Sequence, residues 1–472
     1  MKYMANNNKI FLSENTQQII TEIDTYNETN QLGFDYSIFD IDFLKSNYDF
    51  IFNHYKSINY SKKLIKESII NGNNNFCGTF ELLDYILSND KFKNFKTQII
   101  TIDNKTSSLE EIVSSKNQDN CKIWINLHGK ELLRLIFSLK YSNNLPEKLF
   151  EEFDRIDIHL LTEFTPFDIF EFISNNDLKK QQYLIKFKTF SINLCIISKD
   201  NLVDYKLDLL IKRICLMLVV KNNYTNNTIN ISIILSNFKK NLPSSYSTLG
   251  PREINSGVSI KGLDYILIYR EEEFLKLIIH ELVHLISLDI GTLTIDNLNE
   301  YVDINSSNEI RLNESITEII SLIINSIVIA LELGYTNNNK GYNFAKTILN
   351  YELYYNLFQC SKILKHFNYS NTADFFKQNT TSLFKQNTSV LSYFIVKTAC
   401  LFNSDFKTYF NTYFDNFNYN DKPTTVQNYK SLIINSLQNS HFINTLQKIS
   451  ESITINNDYF MKTLRMTCFE IN

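Results

Sequence analysis

Two histidines four residues apart, His280 and His284, stand in the stretch Ile279-His280-Glu281-Leu282-Val283-His284-Leu285. On a helix that spacing stacks them one turn apart on one face. Two imidazoles so placed can grip one divalent cation, and imidazole suits zinc. Glu281 follows the first histidine and can serve as general base toward a water on that cation. The chemistry this trio allows is metal-assisted hydrolysis. It needs a third protein ligand, an open coordination position and a frame that holds the ligands still.

The elements around the histidines supply a frame. Residues 187–197 (FKTFSINLCII) are rich in β-branched and aromatic side chains and read as a strand. Residues 204–220 read as a helix, and 229–235 (INISIIL) alternate as a second strand. After a loop with Pro243 and Pro251, residues 254–260 fit a short edge strand containing Gly257, and 265–269 (YILIY) another strand. At Gly257 a substrate backbone could come close, or the chain could simply turn or bulge. A helix over about 271–288 follows, opened by Glu271, Glu272 and Glu273, whose charge would favour a helix N-terminus. A later apolar helix from Leu312 to Leu333 carries Glu314 and Glu318 one turn apart and stops near Gly334.

Composition narrows the class. The chain has 472 residues, 44% of them hydrophobic, and a net charge of −4, so nothing argues for a nucleic-acid partner. With only 10 Gly and 5 Pro, helices are favoured over a β-sandwich. The seven cysteines stand singly and fit buried thiols in a reducing compartment. The polar Asn6-Asn7-Asn8 occupies the place where a signal peptide needs an apolar core, which points to an intracellular protein. The apolar runs 209–220 and 319–333 are short or interrupted by polar residues, so no membrane span is expected.

The HELVH stretch within this order of elements resembles the upper subdomain of the zincin metallopeptidases, over roughly residues 185–335. Asn313-Glu314 and Glu318 resemble the gluzincin, thermolysin-like branch, in which a glutamate on the next helix completes the metal site. The metzincin extension is absent after His284. The resemblance implies an α+β, zincin-like catalytic domain: a small twisted sheet with an edge strand, an active-site helix and a helical lower subdomain. It implies a Zn2+ cofactor held by His280, His284 and Glu314, with Glu318 behind His280. It implies a peptide or protein substrate, cleaved by a zinc-bound water with Glu281 as base. It further implies a Tyr or His that donates to the developing oxyanion. Tyr301 and His366 are the leading candidates, beside Tyr351, Tyr354 and Tyr355. Asp303 and Glu309 remain rival ligands, the bland reading of Glu314 and Glu318 is a solvated helix face, and Asp289 reads as the end of the first helix.

Three regions are expected: a mixed, mostly helical region at 1–180, the catalytic upper subdomain at 181–334, and a helical subdomain at 335–472. The isolated His54, His128 and His159 read as ordinary surface or core residues. The competing reading is a catalytically inactive zincin-fold protein with a structural or interaction role.

Overall fold

The structure is a computed structural model that describes residues 10–34, 41–70, 99–102, 105–108, 176–220, 227–244, 246–291, 305–306, 310–335, 338–376, 384–414 and 423–472, with a few isolated positions besides. It is a mixed α+β protein built on one six-stranded sheet. In chain order the strands are β1 (Ser61–Ile70), β2 (Leu178–Phe187), β3 (Phe190–Ser198), β4 (Thr228–Ile234), β5 (Gly257–Ile260) and β6 (Tyr265–Ile268). In space they run β1-β2-β3-β4-β6-β5, so β5 is an edge. β3, β4 and β6 are parallel neighbours, while β1, β2 and β5 pair antiparallel. A small hairpin of residues 99–102 and 105–108 stands outside this sheet.

The helices pack in a layer against it. Helix α3 (Asp204–Val220) forms the crossover between the parallel β3 and β4. Helix α4 (Phe274–Leu285) carries both histidines and packs on α3, β5, β6 and α5 (Asn313–Glu332). Every residue of α5 from Glu314 to Glu332 is buried. By length and hydropathy α5 could cross a membrane, and it is longer than the run read from sequence. In the fold it is enclosed by α4, α6 (Asn338–His366) and the N-terminal α2 (Ile41–Ser57). Each fully buried Ile or Leu there stabilises the fold by about 1.5–3 kcal/mol relative to exposure. Within that core the same helix buries three carboxylates, Glu314, Glu318 and Glu332, the last paired with Arg213.

The expected boundary at 180 falls inside β2, which pairs with both β1 and β3. Residues before it do not form a separate unit where they are described. Helix α1 (Glu14–Asn30) packs on α6, α2 packs on α3, α5 and α6, and Leu12 pairs with Ile471 near the other terminus. Long-range pairing of this kind leaves no local trace in composition. Residues 121–127 (CKIWINL), whose alternation reads as a short strand, lie outside the described residues. Of the cysteines, Cys215, Cys360, Cys400 and Cys468 are buried and free, and Cys195 is free and partly buried.

Helix α4 starts later than the acidic run suggests. Glu273 has a left-handed backbone, φ 64°, and precedes the first helical residue. Its carboxylate takes the Thr467 N–H at 2.7 Å and pairs with Lys240 at 2.9 Å, while Glu272 takes the Lys240 N–H at 2.9 Å. Burial alone would raise Glu273, but Lys240, Arg465 and Lys276 hold it below the usual carboxylate range. Glu273 ties the start of α4 to the C-terminal segment and Glu272 ties it to the backbone at Lys240; neither is a solvated charge on a helix dipole.

Candidate metal centre

The two histidines sit one turn apart on α4, with ring centroids 4.9 Å apart and planes near perpendicular at 81°. Both face the first turn of α5. There Glu314 Oε2 lies 3.0 Å from His284 Nε2 and 3.6 Å from His280 Nε2. One donor atom from each of the three residues lies within 4.8 Å of the others. Ligands about 2.0–2.1 Å from a tetrahedral zinc lie roughly 3.3 Å from one another. The two separations from Glu314 bracket that value, and the donor types are those that suit zinc.

Each imidazole has a carboxylate behind it. Glu318 Oε1 stands 2.7 Å from His280 Nδ1, close in distance though off the line of an ideal N–H donor. Asp289 Oδ2 stands 2.6 Å from His284 Nδ1. A proton held at each Nδ1 leaves each Nε2 lone pair toward Glu314, which is the tautomer a metal needs. Glu318 also binds Lys276, with Lys397 3.4 Å from its second oxygen. Burial would raise Glu318, but Lys276, Lys397 and His280 hold it well below the usual range. Glu314 and Glu318 are buried, so neither is a solvated helix face.

Asp289 does not end α4. The helix stops at Leu285, and Ser287, with φ 53°, curls the chain so that Asp289 returns under His284. Outer carboxylates of this kind fix ring orientation, and losing one weakens metal binding by about 10–100-fold. Asp289→Asn is therefore expected to lower divalent-metal affinity by about that factor, read by competition with a chromophoric chelator. An unchanged affinity would remove Asp289 from the support of the site.

A cavity of about 340 Å³ opens over the donors. Its wall includes Gly257, Val258 and Ser259 of the edge strand, Glu281, and Tyr393. Glu281 is buried and close to the donors; in the metal-free chain burial raises its carboxyl, Glu314 adds to that rise, and His280, His284 and the Ser259 hydroxyl oppose it.

Tyr393 is not among the tyrosines that the sequence singles out. It lies in a wide helical turn, Leu391–Val396, with its ring 6.1 Å from that of His280. Widened turns of this type interrupt helices, often at functional sites. Burial, and then Glu314, Glu281 and Glu318, keep its phenol well above its ordinary range, so it stays a donor. The other candidates go elsewhere. His366 Nε2 lies 2.8 Å from the Ser247 carbonyl and is not part of the cavity wall. The Tyr351 hydroxyl donates to Asp24, Tyr354 stacks on Phe34, and the Tyr355 hydroxyl accepts from Gln359. Tyr301, Asp303 and Glu309 lie outside the described residues.

No family model matches the chain, and no solved structure matches it. The chain is similar to the uncharacterized protein R210 of Acanthamoeba polyphaga mimivirus, at 26% identity over 341 residues. That match covers 67% of this chain and 80% of the other protein, whose name assigns it no activity.

Proposed function

We propose that this chain is a zinc-dependent metallopeptidase with a zincin-like, gluzincin-type site. What carries the reading is the convergence of His280, His284 and Glu314 on one point, beside Glu281 and an open cavity. His280, His284 and Glu314 would hold the ion. Zinc held there would supply Lewis-acid chemistry, polarising a carbonyl and easing the deprotonation of water.

The remaining work falls to the chain. An extended peptide would lie along the edge of β5, whose outer side has no strand partner among the described residues. Glu281 would take the proton of the attacking water and return it to the leaving amine. The Tyr393 hydroxyl would donate to the oxygen on which negative charge grows. Glu318 and Asp289 would hold the imidazoles in register through both steps.

The direct test is zinc content of the purified chain together with cleavage of a mixed peptide library. One zinc per chain with cleavage supports the reading. One zinc with no cleavage supports an inactive structural or interaction protein of the same architecture, and no zinc sinks the peptidase reading. Tyr393→Phe separates the donor from the ligands. It is expected to keep zinc and KM and to lower kcat by about 10²–10³-fold, the cost of losing one oxyanion donor. A kcat within twofold of wild type would take Tyr393 out of the mechanism.

A further inference from the structure

Strand β5 has two faces, and they differ in kind. Val258 and Ile260 pack with Tyr265 and Leu267 in a small cluster on the side away from α4. Gly257 and Ser259 alternate to the opposite face, paired across the ladder with Ile268 and Ile266. Ile266 and Ile268 belong to the main core that includes α4. The edge strand thus turns its two smallest side chains toward the helix that carries Glu281.

The reason is steric. A Cβ at Gly257 would stand 3.1 Å from Glu281 Oε1, 3.2 Å from Leu277 Cδ2 and 2.8 Å from the Leu267 carbonyl oxygen. No side chain fits there without displacing backbone or the carboxylate. Two residues on and on the same face, Ser259 lines the cavity beside Glu281, and its hydroxyl holds the carboxyl down against burial. We infer that β5 is the seat of the base: Gly257 leaves room for the Glu281 carboxylate, and Ser259 is the positioning residue that holds it in the cavity.

This rests on the peptidase reading for its catalytic consequence, though the contact itself does not. A buried carboxylate beside two imidazoles has competing positions: on the rings, on the cation, or facing the cavity. The Ser259 hydroxyl favours the last. The strand on which an extended substrate would be laid then also sets the aim of the base.

The test uses the full chain loaded with zinc and a peptide that the wild type cleaves. Ser259→Ala is expected to keep one zinc per chain and an unchanged KM while kcat falls about tenfold or more, the loss of one hydrogen bond to a charged group. Ser259→Thr, which keeps the hydroxyl, is expected to recover most of that loss. A purely structural role for Ser259 would instead lower the active fraction and leave the kcat of the active molecules alone.

A metal-free double-mutant cycle reads the contact without any activity. Ser259→Ala is expected to lower the melting temperature with Glu281 present and to have less than half that effect in a Glu281→Ala background. Additive losses, or a full kcat in Ser259→Ala, overturn the inference. If the zinc-loaded wild type cleaves no peptide, the peptidase reading falls, and the cycle still decides whether Ser259 holds Glu281.

Discussion

Glu281→Gln is expected to keep one zinc per chain and to lower kcat for peptide hydrolysis by about 10²–10⁴-fold. The substitution is nearly isosteric. The introduced amide would fill the same space beside Gly257 and could still accept from Ser259 through its oxygen. It touches none of the three donors that converge on the proposed ion. What it removes is the capacity to take and return a proton, and general base catalysis is worth that range of rate. Metal analysis and peptide kinetics on one preparation check it. Unchanged cleavage would show that another group moves the proton. Loss of zinc would show that Glu281 binds the cation instead of the water. The variant therefore distinguishes the two places a buried carboxylate could go in this pocket.

Different parts of the site are legible to different degrees, for physical reasons. The spacing of His280 and His284 needs only the helical repeat, and the apolar residues around them bury that helix as expected. Strands β3, β4 and β6 show alternation or β-branched runs and lie where the sequence puts them, within a few residues. Glu314 comes from resemblance to a motif, because nothing local ties it to a helix one loop earlier. Asp289 and Tyr393 escape a sequence reading because each depends on a break in regular geometry. Asp289 reaches His284 only through the left-handed turn at Ser287. Tyr393 reads as part of an apolar helix, and the widened turn at 391–396 shifts the phase by which sequence assigns faces. Ser259 is legible as part of a possible edge strand but not as a partner of Glu281, since strand-to-helix register is a tertiary fact. The N-terminal strand β1 escapes because its residues are almost all exposed and carry no alternating signal.

Glu314→Ala is expected to weaken zinc binding by more than the 10–100-fold cost of losing an outer carboxylate, because it deletes a ligand and not its support. Two imidazoles on one helix would be left without the charge that offsets the cation. In the wild type, zinc binds the folded chain and so stabilises it, by about 4 kcal/mol at a thousand times Kd. A thermal melt should therefore rise by several degrees on adding zinc, and Glu314→Ala should lose most of that rise. The pH dependence has a definite sign. In the metal-free chain burial works against a charged His284, but Glu314 and Asp289 outweigh it and raise its pKa well above the ordinary value. That pairing stabilises the fold fully below about pH 6.5, the unfolded value, and the contribution is lost as pH rises through the raised one. Zinc must displace the same proton, so wild-type affinity should climb with pH over that interval and release protons on binding. Without Glu314, His284 loses the larger of the charges that raise it, and the climb should move to lower pH. Full affinity in Glu314→Ala would move the third ligand to another carboxylate, with Asp303 and Glu309 the ones to replace next.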